Sequence, residues 1–320
     1  MRPHSLVITL SIMLFLAASC RRDQVADVRP PTVTADSLSI LFTGDVMLDR
    51  GVRSQIEKHG VEWVFSEVTG RFLSADAVVI NLECPITDVV TPLNKQFVFR
   101  ADVGWTKVLR SVGITHAALA NNHSNDQGYQ GFASTVQCLR AEGIVPLGFG
   151  TDSVQRMEPV MIGRGGLKVA VFNAVLLNLE NWVNPQEDVL APNICDAPSL
   201  ARAIRHYRSL HPDVRIVASL HWGVEYTTLP VFTQRRTAVL LADAGADVII
   251  GHHPHVRQPI ERIGHTTVCY SLGNFVFDQR RPDGNESILA EIVVKPDTLL
   301  LRSYDVNIRQ CRPSIIGVQN

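Results

Sequence analysis

One boundary recurs through this 320-residue chain and limits what it can fold into: apolar runs stop, one after another, at side chains able to hold a metal ion. The runs cover residues 39–43, 77–80, 117–120, 214–220 and 247–250. After them come Asp45, Glu83, Asn121-Asn122-His123, His221-Trp222-Gly223 and Gly251-His252-His253-Pro254-His255. Short stretches rich in Val, Ile, Leu and Ala suit strands buried on both faces, as in parallel sheets covered by helices. In open α/β sheets, ligands gather at the carboxyl ends of such strands. Carboxylates, an amide and several imidazoles converging there make the donor set of a borderline or hard divalent metal, not of a thiolate site.

Between the runs lies helical sequence. Residues 108–115, 138–145 and 240–247 share one local order: a helix end, a glycine (Gly113, Gly143, Gly245) and then a strand. Glycine takes the left-handed conformation after a last helical turn without a Cβ penalty, so the chain can reverse into the sheet. Helices are expected near 62–73, 104–112, 129–141, 199–210 and 233–244. Strands alternating with helices predict an α/β layered domain. The end of the chain differs: 287–294, a Pro296-Asp297 turn and 299–308 read as a closing C-terminal β-hairpin.

The first residues are expected to lie outside the fold. Arg2 precedes an apolar stretch over 5–18, too short for an ordinary spanning helix and suited to a signal peptide over residues 1–20. Small residues, Ala17-Ala18-Ser19, stand directly before Cys20, the pattern of a lipoprotein signal whose cleavage leaves a lipidated cysteine; an ordinary cleaved signal with an incidental cysteine is the plainer alternative. Either route exports the chain. Residues 21–37, polar and carrying Pro30-Pro31, read as an extended tether, which leaves 38–320 as one domain. The 30 Lys and Arg residues are scattered and balanced by 31 acids, giving no electrostatic footprint for nucleic acid. Cys20 apart, five cysteines remain, an odd number without metal-type spacing, so at least one is expected to stay a buried free thiol.

Each motif has a plainer reading beside the chemical one. A Gly-Asp after a strand is commonly only a turn, in which Gly44 lets the backbone reverse tightly and presents Asp45 at the tip; Met47 reads as packing. In Asn81-Leu82-Glu83, alternation puts Asn81 and Glu83 on one side and Leu82 on the other, so Glu83 either bridges two cations or merely caps the loop. The polar run from Asn121 to Gln127 would be costly after a buried strand without partners. There an amide oxygen can ligate metal while His123 donates a proton. Asp126 either orients His123 or, as the commoner single role, caps the helix starting near Gly128. An apolar interior satisfies three histidines within four positions poorly, which favours His253 and His255 as ligands and leaves His252 open. Residues 270–277 read as a further strand, with core packing the stronger interpretation.

Taken jointly and in order, Gly44-Asp45-Val46-Met47, Asn81-Leu82-Glu83 with Pro85 and Thr87, Ala120-Asn121-Asn122-His123 with Asp126 and Gly128, His221-Trp222-Gly223 with Glu225-Tyr226, Gly251-His252-His253-Pro254-His255 and Tyr270-Ser271-Leu272-Gly273-Asn274-Phe275 closely resemble the CapA family. It is also called the PgsA or poly-γ-glutamate capsule synthesis family, and the resemblance spans roughly residues 39–278. That family is similar to the calcineurin-like metallophosphoesterases. The resemblance implies a four-layer αββα sandwich of two sheets flanked by helices, with a site for two divalent ions of Mn, Zn or Fe type. By motif it implies Asp45, Glu83, Asn122, His221, His253 and His255 as metal-binding positions and His123 as the histidine that contacts substrate. Phosphoesterases usually carry a histidine two residues after the first aspartate; here that position is Met47, so the first ion is short of a ligand.

The function so implied is that of an exported, lipid-anchored protein of the cell envelope, acting in synthesis or export of poly-γ-glutamate or a related anionic capsule polymer, as a two-metal hydrolase. Its partners would be the polymer, membrane synthase subunits and the membrane itself through lipid on Cys20. A catalytically silent accessory that binds polymer or holds synthase subunits, and a phosphoesterase unrelated to capsule, are the alternatives.

Overall fold

The apolar runs form the middle of two stacked sheets. A computed structural model of the chain describes residues 36–179 and 188–319, so the expected signal peptide, Cys20 and most of the tether lie outside the described residues. In the first sheet, Leu38–Val46, Ala77–Leu82, His116–Ala118 and Val145–Leu147 run parallel, and Asn274–Val276 pairs parallel with the end of Leu38–Val46. Glu286–Val294, Leu299–Arg309 and Arg312–Gln319 extend that sheet antiparallel from the other edge of Leu38–Val46. In the second sheet, Thr266–Cys269, Val248–His252, Arg215–His221 and Leu167–Val175 run parallel, with Ile260–Ile263 and Val160–Arg164 antiparallel at its edges.

The two-residue alternation of each strand then builds the layers. Ile40, Phe42, Ala77 and Val79 meet Val169, Val171, Val217, Val248 and Ile250 between the sheets. Their neighbours Leu41, Val78 and Ile80 face outward onto Val52, Phe65, Leu109 and Phe132. On the far side Ile216, Ala218, Leu220 and Ile249 pack on Leu200, Ile204, Ala238 and Leu241 of the helices Ala197–Leu210 and Phe232–Ala244. The result is the expected four-layer αββα sandwich.

Several local expectations needed correction. The helix expected over 62–73 is two short ones, Val61–Phe65 and Thr69–Leu73. That expected over 104–112 begins as the 3₁₀ turn Val103–Trp105 before Thr106–Ser111. A helix not expected, Arg50–His59, buries only Val52 and Ile56, an i, i+4 pair too sparse to reveal a period, and is capped by Asp49, whose side chain accepts from the Arg50 N–H. Leu167–Val175 was also missed, although it is central to the second sheet. The closing hairpin does form, but it continues into a third strand through Gln310 and Cys311, whose φ values of 53° and 65° make a tight reversal without the glycine that advertises one.

Gly44 does not turn. It lies inside Leu38–Val46, and its backbone is not left-handed. What it permits is close approach, because a Cβ there would stand 2.1 Å from the Gly273 carbonyl oxygen. Gly251 does the same in the second sheet, where a Cβ would stand 2.0 Å from the Tyr270 carbonyl oxygen. Both contacts are with backbone, which cannot swing aside, so adding one methyl must push strands apart. Gly44→Ala is expected to lower unfolding free energy by about 3 kcal/mol or more, toward the upper end for overpacking. Gly70→Ala, in an exposed helix position with nothing within 4 Å, should raise it by up to about 1 kcal/mol. Urea titration of the three proteins checks this; equal stability of wild type and Gly44→Ala would refute the close-approach argument.

Candidate metal centre

Strand register gathers the acids and histidines. Asp45 lies opposite both Asn81 and Asn274 in the first sheet, and His252 lies opposite His221 in the second. The carboxyl ends of both sheets therefore open onto one place. Asp45, Glu83 and His255 each bring a donor atom within 4.8 Å of the others, all three buried, a group able to hold a metal ion.

The hydrogen bonds around this group are unequal. Asp45 is well served: Asn81 Nδ2 donates to Oδ1 at 2.8 Å and the His253 N–H to Oδ2 at 3.4 Å, while the His252 and His255 rings stand close without hydrogen-bonding it, each Nδ1 3.3 Å from a carboxylate oxygen. Burial works to raise its pKa, but the neighbouring His252 and His255 rings hold it well below the usual carboxylate range. Glu83 has no hydrogen-bond partner on either oxygen, though it is fully buried. Burial first and the Asp45 charge second drive its pKa well above the ordinary value. Its Oε1 stands 3.7 Å from both His221 Nε2 and His255 Nε2, too far for a hydrogen bond and placed between the two halves of the cluster.

The imidazoles divide in the same way. His255 Nδ1 is 2.9 Å from Asn274 Oδ1, an orienting contact of the kind that fixes a ligating ring and points the other nitrogen inward. Burial opposes a charge on His255, yet Glu83 and Asp45 overcome it and raise its pKa to about 9. His221 Nε2 stands 2.8 Å from Asn122 Oδ1, and its ring lies 4.9 Å from that of His253. Burial pushes His221 well below its usual pKa, and burial with the nearby His255 charge takes His253 down to about 3. Neutral imidazoles with free lone pairs are the form that ligates metal.

These donors fit a cation. Besides both Glu83 oxygens, His252 Nδ1 and His253 Nδ1 are buried without a hydrogen bond, and unpaired polar atoms so buried are costly unless something absent from the protein chain satisfies them. The backbone carries a further cost at the same place, since His253 and His255 adopt φ of 98° and 58°, a region that favours glycine. Met47, expected as packing, is fully buried in the outer core of the first sheet, with its sulfur 3.0 Å from the Asp49 nitrogen.

A second arm faces the same centre. Asn121 shapes the loop by accepting from the backbone N–H groups of His123 and Ser124, which leaves Asn122 to meet His221. Asp126 does not cap the following helix, Gly128–Ala141, which has no side-chain cap. Its Oδ2 instead lies 2.8 Å from His123 Nδ1, so it orients that ring. Burial lowers the His123 pKa, with Asp126 pulling the other way. Three contributors were not legible beforehand: Lys95, whose Nζ is 2.6 Å from Asp126 Oδ1; Phe99, whose ring sits 4.3 Å from that of His123; and Asn274, read as part of a packing strand. Phe99 and Lys95 belong to a stretch without helix or strand, where no period marks them. A cleft of about 580 Å³ opens over His123 and His255 and is walled by Phe97, Phe99, Tyr226 and Phe277, with Arg50 and Glu225 at its sides. All five cysteines in the described residues are free thiols, with Cys84 and Cys269 buried.

The chain is 32% identical over 276 residues to the PGA biosynthesis protein CapA of Bacillus subtilis, covering 82% of this chain and 70% of that protein. It is 27% identical to the capsule biosynthesis protein CapA of Bacillus anthracis, covering 97% of this chain and 77% of that one. Among solved structures, the NAD nucleotidase of Haemophilus influenzae superposes with a TM-score of 0.50 at 11% identity over 89% of this chain. This chain spans only about half (54%) of that nucleotidase, and the likeness is one of fold, of the calcineurin-like metallophosphoesterase type. The family model described as bacterial capsule synthesis protein PGA_cap matches residues 39–279, a span holding every strand end that feeds the cluster, and the chain belongs to that family.

Proposed function

We propose that this protein works at the cell envelope in the synthesis or export of poly-γ-glutamate or a related anionic polymer, as a metal-dependent hydrolase acting on an amide or ester bond of that polymer. The observation that carries the chemical part is Glu83: a fully buried carboxylate with two unpaired oxygens, midway between His221 and His255, is what a cation site needs and what a protein core avoids. Family membership and the two relatives named for capsule and PGA biosynthesis support the biological part.

In this reading Asp45, Glu83, Asn122, His221, His253 and His255 hold one or two divalent ions, of the Mn, Zn or Fe class that suits mixed oxygen and nitrogen donors. When bound, such ions polarise the scissile carbonyl or phosphoryl group and lower the pKa of water. The chain's own residues do the rest. Asn274 keeps His255 turned inward. Asp126 occupies His123 Nδ1, leaving Nε2 as the nitrogen that can hold or pass a proton to a leaving group in the cleft. Phe97, Phe99, Tyr226 and Phe277 wall the cleft and displace water from the reacting bond. Lipid on Cys20 would tether the domain beside membrane synthase subunits. The second reading, a catalytically silent accessory that holds polymer or synthase, is favoured by one observation: Met47 packs in the outer core where phosphoesterases place a ligand. Incubating the purified protein and divalent metal with poly-γ-glutamate and with generic phosphodiesters separates the two, since only the enzyme shortens a chain.

Metal uptake should depend on pH with a definite sign. The His255 pKa is raised from 6.5 to about 9, so its imidazolium favours the ion-free fold below the unfolded value and that advantage fades as pH climbs through about 9. A cation needs the neutral ring and releases the proton, so affinity for Mn²⁺ is expected to rise with pH, by up to about tenfold per unit, until about 9. Calorimetry across that range reads the slope. Elemental analysis of wild type and of a His253→Ala, His255→Ala double variant should find metal only in the former; equal, near-zero metal in both after reconstitution would remove the site.

His123→Gln should bind Mn²⁺ as wild type does while turnover of the cleaved polymer falls by about 10² to 10⁴, the range for losing a general acid. Unchanged turnover in a folded His123→Gln protein would assign the proton to another group.

Cys20→Ser should abolish acyl labelling in cells and release the protein from the membrane fraction. Labelling that survives the substitution, or wild type that never labels, would remove the lipid anchor from the proposal.

A further inference from the structure

We infer that Lys95, a residue outside every motif that carries the chemistry, is the positioning residue that locks the proton-handling arm to the metal-binding arm. Its part in holding Asn122 rests on the metal reading above; its part in holding His123 does not.

Residues 87–100 form neither helix nor strand, yet they are fastened to the 121–128 loop at every turn. Leu93 N–H donates to the Asp126 carbonyl, Thr91 N–H donates to Gln127 Oε1, the Thr91 hydroxyl donates to the Gln127 carbonyl, and Phe99 N–H donates to Asp126 Oδ2. Phe99 also lays its ring against His123 at 4.3 Å. The stretch is a strap over the histidine loop. At its centre the Lys95 side chain is only 7% exposed, an unusual position for an ammonium group.

Two contacts account for that burial. Lys95 Nζ is 2.6 Å from Asp126 Oδ1, whose other oxygen lies against His123 Nδ1. The same nitrogen donates to the backbone carbonyl of Asn122 at 2.6 Å, and the Asn122 side chain reaches His221 Nε2 at 2.8 Å. One ammonium thus fixes the carboxylate that orients His123 and the backbone that carries Asn122. An aliphatic residue of similar length would fill the space but fix neither. An arginine could keep both, since its fork offers several donors at once. Asp126 would not be left wholly unpaired without Lys95, because the Phe99 N–H still donates to it, so loss of the lysine frees the loop rather than removing its every anchor.

The test compares wild type, Lys95→Met, Lys95→Arg, Asp126→Asn and the double variant Lys95→Met, Asp126→Asn, each as the full-length protein. The first readout needs no metal: long-range ¹H–¹⁵N spectra of ¹⁵N-histidine-labelled protein, with the His123 signals assigned by their loss in His123→Gln. Wild type should show His123 as one tautomer with the proton on Nδ1. Lys95→Met should show averaged or mixed tautomers, and Lys95→Arg should restore the single form. The second readout is Mn²⁺ affinity, expected to fall about tenfold or more in Lys95→Met, as for outer-shell partners of a metal ligand, and to recover in Lys95→Arg. If Lys95→Met does not fold because Asp126 is then a buried charge, the double variant removes that charge and is read against Asp126→Asn alone, since Asp126 itself orients His123; it should fold, with a more mixed tautomer and weaker Mn²⁺ affinity than Asp126→Asn. A single Nδ1–H tautomer and wild-type Mn²⁺ affinity in Lys95→Met, or, where only the double variant folds, tautomer and affinity equal to those of Asp126→Asn, would overturn the inference. A loss that Lys95→Arg does not recover in either readout would also overturn it. Should wild type bind no Mn²⁺ at all, the metal reading fails, while the tautomer comparison still decides whether Lys95 positions His123.

Discussion

Two carboxylates without any exposure, Asp45 and Glu83, stand where two sheets open onto each other, and most of the structure around them can be understood as what it takes to keep them there. Removing an ionised carboxylate from water costs several kcal/mol unless partners replace the solvent. Asp45 accepts from Asn81 and from the His253 N–H, and the adjacent His252 and His255 rings hold its pKa down against burial. Glu83 has no such partners and is pushed toward its neutral form. A pair tuned so far apart over so short a distance is a marker of a working site rather than of packing, because an apolar residue in place of Glu83 would serve a core better.

The surroundings carry their own costs for the same end. Gly44 and Gly251, beside Asp45 and the histidine loop, give up side chains so that backbone from Gly273 and Tyr270 can pass against them. His253 and His255 hold backbone angles that disfavour any side chain, and the positive φ values of Arg50 and Tyr226 lie along the neighbouring cleft. Four of the seven non-glycine residues with positive φ among the described residues gather here, a concentration expected where geometry is imposed from outside local preference. The cluster itself has two unlike sides. Burial pushes His221 and His253 below the ordinary imidazole range, whereas the neighbouring acids raise His255 against its burial.

Membership of the PGA_cap family places the chain among proteins named for capsule synthesis, but it shares its fold with a protein named a nucleotidase, and a fold does not fix a function, so chemistry has to be argued from the site. Here Met47, two residues after Asp45, is buried in the outer core, and His252 stands beside Asp45. His252 Nδ1 lies 3.3 Å from Asp45 Oδ1 without the geometry of a hydrogen bond, so this buried nitrogen has no partner among the described residues.

The layered α/β class was legible because buried parallel strands must be apolar on both faces and must reverse through glycine, and the donors were legible because each interrupts such a run. Periodicity failed where few side chains are buried: Arg50–His59 shows two core residues, and the reversal at Gln310 and Cys311 lacks a turn glycine. By itself, then, the sequence determined which residues stand at strand ends and what donor chemistry they bring, since both follow from local composition and order. Only the tertiary structure decided that Asp126 orients His123 instead of capping a helix, that Gly44 serves close approach instead of a turn, and that Lys95, Phe99 and Asn274 support the centre. Those roles depend on contacts between segments far apart in the chain or in irregular loops, and neither spacing nor propensity along a sequence encodes which distant backbone or charge a side chain will meet.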